Sequence, residues 1–302
     1  MALFSKKPPC PVCGGKISWF LPTKIEGETI CDDCSQKIDM EEDLINSLTM
    51  QKFKEYLMFY EQNKELRESF VISEKIDFGL WDTKLIFDYE NKLFCLSKNP
   101  DKTVFQGGEL KSFSIKEDSS LLYEGTPDKL VRYTSTVPER ALAVAPQIDR
   151  FMMNQRLNRT LRNLDKDKSN YNPAQYFTIP APFKEYIVEL RFEHPYWRSF
   201  KCDMSGPSFS SSNPDVNDYL RDYHKSQGEI EKLVRALMNV AFPNAVEQLA
   251  GHGIYGVAQG GANFSAPPAD AFEEIKKFKS LLDEGIITKE EFEAKKKQLM
   301  GI

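Results

Sequence analysis

Four of the six cysteines lie within the first 34 residues, and their spacing constrains the fold more than any other feature of the sequence. Cys10 and Cys13 form one C-x2-C pair, Cys31 and Cys34 form a second, and 17 residues separate the pairs. Each pair directs two thiolates toward one point, and two pairs complete a sulfur tetrahedron with Zn–S distances of about 2.3 Å. The separation lies within the ~15 to 20 residues typical of such sites. The pattern predicts a zinc ribbon over residues 1–40, with a β-turn at Glu26-Gly27.

Paired cysteines have two other common uses besides zinc binding. The pairs could form disulfides in a secreted module, or one pair could be a redox motif. The first seven residues, however, do not begin an apolar signal region, and a redox motif would not occur twice. Zinc is therefore favoured, and a site closed by four thiolates is structural and not catalytic. Cys95 and Cys202 stand alone and are expected to be small buried hydrophobes.

Length and charge restrict the remaining possibilities. The chain has 302 residues with 40 basic and 45 acidic side chains, a formal net charge of −5. This length accommodates two domains, or one domain with small modules attached. An acidic chain has no bulk attraction for nucleic acid or anionic lipid, so either partner would require a local basic patch. Since no apolar run reaches the ~18 to 20 residues of a membrane span, a cytoplasmic protein is expected.

Hydrophobic periodicity divides the chain after the ribbon. Phe53, Tyr56, Leu57 and Tyr60 repeat at helical spacing and predict one connecting helix over residues 41–70. An α+β body follows over residues 71–246, beginning with short antiparallel strands of alternating pattern. The predicted strands cover residues 85–88, 93–96, 103–106, 111–116, 121–124, 176–179, 185–192 and 197–202.

Two long helices are predicted within the body. One covers residues 138–165, with Pro146 bending or splitting it, and places Phe151, Met152 and Leu157 on one apolar side. The other begins at Asn213-Pro214, an N-cap followed by proline, and is stopped by Pro243. Helices covering a curved antiparallel sheet make a pleckstrin-homology-like arrangement one candidate for the body. Residues 247–269, rich in Gly, Ala and Pro, are predicted to be a flexible linker.

The last segment, residues 270–302, predicts a helical hairpin. Gly285 suits the end of a first helix, and Thr288 with Glu291 forms a capping box that starts a second. Two helices this short cannot bury enough surface to be stable alone, so their apolar face needs a partner, either the body or another copy. The residues of this candidate association face are Phe272, Ile275, Phe278, Leu281, Leu282 and Phe292.

The hairpin sequence resembles a known family. Residues 281–296, LLDEGIITKEEFEAKK, are similar to the SHOCT family, a short C-terminal domain of bacterial and phage proteins. The N-terminal part, from the ribbon into FKEYL at residues 53–57, is similar to an uncharacterised zinc-ribbon domain of unknown function that often occurs with SHOCT. The resemblance implies an intracellular bacterial or phage origin, a bound zinc and oligomerisation through the hairpin. It implies no activity.

No constellation in the sequence indicates catalysis. The three histidines, His194, His224 and His252, belong to no recognisable triad or metal motif, and Gly107-Gly108 lacks the context of a phosphate loop. The expectation is a non-enzymatic, zinc-containing interaction or assembly protein that docks or oligomerises through its C-terminal hairpin.

Two further binding functions stay open as alternatives. The stretch from Arg150 to Lys168 is basic, and Arg156, Arg159 and Arg162 are spaced to share a helix face, which makes them candidate phosphate contacts in a nucleic-acid-binding protein. A solvated surface explains the same residues without a ligand. The second alternative is binding to a membrane surface through a pleckstrin-like body, which rests on fold analogy.

Overall fold

The structure, a computed structural model, describes residues 8–18, 23–78, 83–97, 101–164 and 176–252. The described residues fall within one compact unit and form an α+β fold. The predicted hairpin over 270–302, with its association face, and the predicted linker from residue 253 onward lie outside the described residues.

The N-terminal module is built on a very short hairpin. Strands β1 (Lys24–Ile25) and β2 (Glu28–Thr29) pair antiparallel around the predicted turn. Glu26 and Gly27 both have positive φ, 49° and 83°, as a type I′ hairpin turn requires. A one-turn helix, α1 (Asp32–Ser35), follows at once. The hairpin thus brings the second cysteine pair back beside the first.

The predicted single helix over residues 41–70 is wrong, because the structure has three helices there. They are α2 (Glu42–Asn46), α3 (Met50–Gln62) and α4 (Lys64–Ser69). The first break follows local capping: Ser47 Oγ donates to Asp43 O (3.0 Å), and Thr49 accepts the Lys52 N–H (3.2 Å) as the N-cap of α3. The second break is at Asn63, whose side chain bonds a distant strand.

A four-stranded antiparallel sheet begins the body. It contains β3 (Glu74–Phe78), β4 (Thr83–Asp88), β5 (Leu93–Cys95) and β6 (Val104–Gln106), paired in chain order. The hairpin predicted from residues 85–88 and 93–96 is confirmed as β4 and β5. Asp88 orders the connecting turn, since its carboxylate accepts the N–H groups of Glu90 (3.1 Å) and Asn91 (3.0 Å).

A second sheet of six strands completes the body. Its strands are β7 (Leu110–Glu117), β8 (Ser120–Gly125), β9 (Lys129–Thr134), β10 (Glu185–Phe192), β11 (Ser199–Ser205) and β12 (Val246–His252). Their order is β11-β10-β7-β8-β9-β12, antiparallel except for the parallel β9–β12 pair. The linker predicted from residue 247 is therefore wrong for residues 247–252. Pairing with a strand more than a hundred residues away overrides their Gly- and Ala-containing composition.

Two long helices accompany the sheets. Helix α5 (Val137–Leu164) runs through Pro146 without a break, although proline has no N–H for a helical hydrogen bond, and this proline lies on an exposed side of the helix. Helix α6 (Val216–Ala241) starts two residues later than predicted, with Asp215 as its N-cap accepting the N–H groups of Asn217 (2.6 Å) and Asp218 (3.1 Å).

The predicted strand over residues 176–179 does not form. Phe177 instead packs into a small cluster with Ile148 of α5 and Val216 of α6, and its N–H donates to Ser211 O (2.7 Å). Alternation of side chains alone did not distinguish this packed loop from a strand.

One hydrophobic core joins both sheets and α6. Phe94, Phe105 and Phe192 stack in sequence, with ring centroids 5.3 Å and 5.0 Å apart. Helix α6 contributes nine buried side chains, including Tyr219, Tyr223 and Leu237. The α+β class is shown, whereas the pleckstrin-like arrangement of the body stays a prediction.

Gly107, in a one-turn 3-10 helix (Gly107–Glu109) before β7, gives a direct test of this packing. A Cβ placed there would lie 2.1 Å from the Val240 carbonyl oxygen of α6, while the neighbouring Gly108 has open space. Gly107→Ala should therefore lower the free energy of unfolding by about 2 kcal/mol or more, because a backbone atom must move. Urea unfolding measures it, with Gly108→Ala as the matched control. Equal stability of the two variants would contradict the described approach of α6.

Candidate metal centre

The first cysteine pair lies in a tight turn that points both sulfurs the same way. Gly14 N–H donates to Cys10 O (2.8 Å), and Cys10 N–H donates to Gly15 O (2.9 Å). Gly14 has φ of 73°, a left-handed conformation that favours glycine. The two glycines that follow the pair therefore have a conformational role.

The second pair is positioned by the hairpin and by α1. Ile30 N–H donates to Thr23 O (3.0 Å), which holds the exit of the hairpin, and Cys31 immediately precedes α1. Ser35 N–H donates to Cys31 O (3.0 Å), so Cys34 lies within the same helical turn. A hairpin and one helical turn are thus sufficient to bring the second pair onto the first.

The four sulfurs converge as the sequence predicts. The Sγ atoms of Cys10, Cys13, Cys31 and Cys34 all lie within 4.8 Å of one another, and those of Cys13 and Cys31 are 3.3 Å apart. Four thiolates at about 2.3 Å from a central zinc would be separated by about 3.8 Å. The cluster could therefore hold a metal ion, and its all-sulfur donor set suits zinc.

Backbone groups and close packing also fit a bound cation. The N–H groups of Gly15 and Cys31 point at the sulfurs of Cys13 and Cys10, each at 3.4 Å. Such N–H···S contacts stabilise thiolates. A Cβ on Gly15 would lie 3.2 Å from Cys13 Sγ and 3.7 Å from Cys31 Sγ. A side chain at position 15 would crowd the sulfur cluster.

Burial makes the charge state of these thiols depend on their surroundings. Cys10, Cys31 and Cys34 are buried, whereas Cys13 is exposed. Burial raises the pKa of Cys31 and of Cys34 above the ordinary value. For Cys10 burial acts in the same direction, but hydrogen bonds from backbone N–H groups outweigh it and the pKa falls to about 6. Holding Cys31 and Cys34 as thiolates at neutral pH therefore needs a compensating cation.

The cysteines are part of a core that extends beyond the ribbon. Ile17, Ile25, Ile30 and Met40 pack with the cysteines and with Phe53 and Tyr56 of α3. Tyr56 is fully buried, and its hydroxyl donates to Lys37 O and accepts the Asp39 N–H (3.0 Å). The ribbon and α3 therefore form one module with a shared core, and α3 is not a separate strut.

Acidic and amide side chains join this module to two loops of the body. The Glu41 carboxylate accepts the N–H groups of Arg198 (2.6 Å) and Ser199, and the Asp39 carboxylate accepts that of Thr103 (2.7 Å). Asn63 binds the backbone of Val104 twice, donating to its O (2.8 Å) and accepting its N–H (3.0 Å). Asn63 thus acts as an additional strand partner at the edge of β6.

Aromatic rings fill the space behind these hydrogen bonds. His194 lies among Phe59, Phe105 and Tyr196, with centroid distances of 5.1, 5.0 and 6.1 Å. Its Nδ1 accepts the Tyr196 N–H (3.1 Å), so Nε2 carries the proton and finds no partner among the described residues. Burial lowers the pKa of His194 to about 4. His194 is a neutral residue of the junction.

The other residues singled out in the sequence lie apart from the cysteine cluster. Cys95 and Cys202 are buried in the body, as predicted. Arg156 and Arg159 are exposed on α5, and α5 includes Arg162, whose side chain is outside the described part. The structure does not test whether they contact phosphate.

The junction residues Asp39, Glu41 and Asn63 were not predicted from the sequence. Their partners lie between 41 and 158 residues away, so no local pattern identified them. In the sequence alone they look like solvated polar positions.

Comparison with known proteins identifies two segments. Residues 8–56 match the family described as Domain of unknown function (DUF4428), and residues 273–300 match the family described as Short C-terminal domain (SHOCT). Both resemblances expected from the sequence are therefore shown. Neither the curated proteins nor the solved structures include a match to the chain. The first segment ends within α3, consistent with a module that contains more than the ribbon.

If the cysteine cluster is the metal site, the zinc content of the purified protein should depend on each of its four cysteines. Cys34→Ser should lose bound zinc, because a serine hydroxyl does not replace a thiolate ligand in such a site. The matched control is Cys202→Ala, which changes a buried cysteine of the body and should retain one zinc per chain. Elemental analysis of the purified chains measures both. Equal metal content in the two variants would exclude the cluster as the site.

His194 predicts a pH-dependent stability. The folded state keeps this imidazole neutral down to about pH 4, whereas the unfolded chain takes up the proton near pH 6.5. The free energy of unfolding should therefore fall as pH drops from 6.5 toward 4, by up to about 3 kcal/mol, and this component should level off below pH 4. Urea unfolding over a pH series measures it.

Two matched variants distinguish the effect of protonating His194 from the effect of disturbing the aromatic cluster around it. His194→Phe keeps a ring but cannot titrate, so it should flatten the pH dependence. Phe59→Leu disturbs the same aromatic cluster and should retain most of the slope. An unchanged slope in His194→Phe would show that other groups cause the effect.

Proposed function

We propose that the protein is a non-enzymatic, modular interaction protein in which a structural zinc ion, bound by Cys10, Cys13, Cys31 and Cys34, stabilises the N-terminal module. The observation that carries the proposal is the convergence of four sulfurs within 4.8 Å at the centre of that module. All four ligand positions belong to the protein, which leaves no coordination site for a substrate. In this proposal the metal ion stabilises the fold of the module and takes no part in a reaction.

The surroundings of the site support a structural role. Three or more His, Cys, Asp or Glu side chains could together hold a metal ion at one place among the described residues, and that place is the cysteine cluster. His194 is enclosed by aromatic rings, and the nearest acidic and amide groups of the module are engaged with backbone N–H groups. These contacts build a rigid junction and do not present a nucleophile or base to solvent.

The C-terminal segment supplies the interaction part of the proposal. Its match to the Short C-terminal domain identifies a small module that is separate from the body in sequence. Short helices need an external apolar surface to be stable, so the predicted face from Phe272 to Phe292 would find it on the body or on a second copy. We propose self-association as its function.

The location and origin of the protein and its binding to nucleic acid are considered next to the helices of the structure. None of the helices within the described residues has the length and apolar character that crossing a lipid bilayer requires. A cytoplasmic location and a bacterial or phage origin stay predictions. Nucleic-acid binding also stays a prediction, since an exposed arginine pair is compatible with several anionic partners.

Self-association through the hairpin predicts a change in mass. Removing residues 270–302 should reduce the assembly to a monomer, as measured by multi-angle light scattering. Ile275→Asp with Leu282→Asp should have the same effect in the full chain, because charges on the apolar face oppose burial. The control, Lys276→Gln with Lys279→Gln, should keep the assembly. An unchanged mass after the deletion would argue for docking on the body instead.

A further inference from the structure

Helix α5 has two halves with different surroundings. It contains 28 residues, about 42 Å of helix, and its first half packs through Val144, Ile148 and Phe151 into the cluster shared with α6. Gln155 donates to Ser212 O (3.2 Å), and the side chains from Arg156 to Thr160 are mostly exposed. The side chains of the second half are therefore mostly solvated as far as Thr160.

Apolar side chains on this second half face solvent. Met153 is 72% exposed and Leu157 is 55% exposed, one helical turn apart. The sequence-based expectation placed Leu157 on the same side as Phe151 and Met152, and this is wrong. Those two residues are half-buried against the body, whereas Met153 and Leu157 lie on the opposite side of the helix. Solvated methionine and leucine at this spacing form an apolar stripe without a described partner.

Arginines border the stripe. Arg150, three residues before Met153, and Arg156, three residues after it, are exposed, one on each side of the stripe. Asp149, four residues before Met153, is exposed on the same side of the helix, and no further acidic residue occurs up to position 164. We call Arg150, Met153, Arg156 and Leu157 the distal face of α5. With two arginines against Asp149, it is a local basic patch of the kind that an acidic chain (net charge −5) needs for an anionic partner.

We propose that the distal face of α5 binds the surface of an anionic lipid membrane. A helix with apolar side chains beside a basic row lies in the membrane interface, with the apolar residues at the boundary of the acyl chains and the arginines at the headgroups. The partner chemistry is a negatively charged lipid surface, and the binding is peripheral. This surface is separate from the cysteine module and from the C-terminal hairpin.

The exposed apolar residues favour lipid over nucleic acid. Phosphate contacts by Arg150 and Arg156 would serve either partner, because both present anionic phosphate oxygens. A nucleic-acid backbone, however, offers no apolar surface for Met153 and Leu157. A lipid interface can contact both the apolar residues and the arginines of the distal face.

Sedimentation of the full chain with vesicles tests the proposal. The chain should pellet with vesicles of phosphatidylcholine and phosphatidylserine, and not with phosphatidylcholine alone, and binding should weaken as salt screens the arginines. Arg150→Gln with Arg156→Gln should lower the partition coefficient about 25-fold, at about fivefold for each basic residue. Met153→Gln with Leu157→Gln should lower it as well, because the apolar contribution is lost.

A matched pair on another helix controls for bulk charge. Lys225→Gln with Arg235→Gln removes two exposed basic residues of α6 and should leave vesicle binding close to that of the parent chain. All variants change exposed positions, and circular dichroism confirms that each is folded.

Three results would overturn the proposal. One is the absence of sedimentation with the anionic vesicles. Another is an equal loss in the α6 control, which would assign the effect to bulk charge. The third is tight binding to duplex DNA that Met153→Gln with Leu157→Gln leaves unchanged while vesicle binding is undetectable, which would assign the arginines to nucleic acid.

Discussion

The ribbon without α3 has too little chain to bury a core of its own, and in the proposed function a metal ion bound where four cysteine sulfurs converge compensates for this. Its two strands have two residues each, and its first helix is a single turn. Elements this short do not hold together through hydrophobic burial alone. A shared cation ties the turn at Gly14, the hairpin and α1 into one unit in the proposed account. The cysteines and Phe53 of α3 then pack in a single core.

Hydrogen bonds connect the N-terminal module to loops of the body. Glu41 and Asp39 each place a carboxylate on backbone N–H groups of the body, and Asn63 completes the edge of β6. Hydrogen bonds to charged groups are stronger than neutral ones, about 1.5 to 3 kcal/mol each. The aromatic cluster around His194 excludes water from the same junction. Order in the module is therefore expected to determine order in the loops at residues 101–104 and 194–199.

Local chemistry decided which parts of the structure could be predicted from the sequence. The four ligands follow from spacing, and the turn at Glu26-Gly27 follows from the need for positive φ. Long-range pairing decided the rest. Strand β12 exists because β9 pairs with it, and the helix break at Asn63 exists because Val104 is its partner. Neither partner is visible in a local pattern.

The apolar residues of α5 were misassigned for a local reason. Phe151 and Leu157 were assigned to one buried side, whereas they lie on different sides of the helix. Six residues separate them, which is a rotation of about 240° at 3.6 residues per turn. Apolar character alone therefore did not place Leu157 on the buried face.

In the proposed function, a metal-bound cysteine module orders two loops of the body. Amide hydrogen exchange of the metal-loaded and the chelator-treated full chain measures this dependence. Removing the metal should expose the amides of Thr103, Val104, Arg198 and Ser199 to exchange along with those of the module, while the strands β7 and β10 stay protected. Unchanged protection of these four amides in metal-free protein would contradict it.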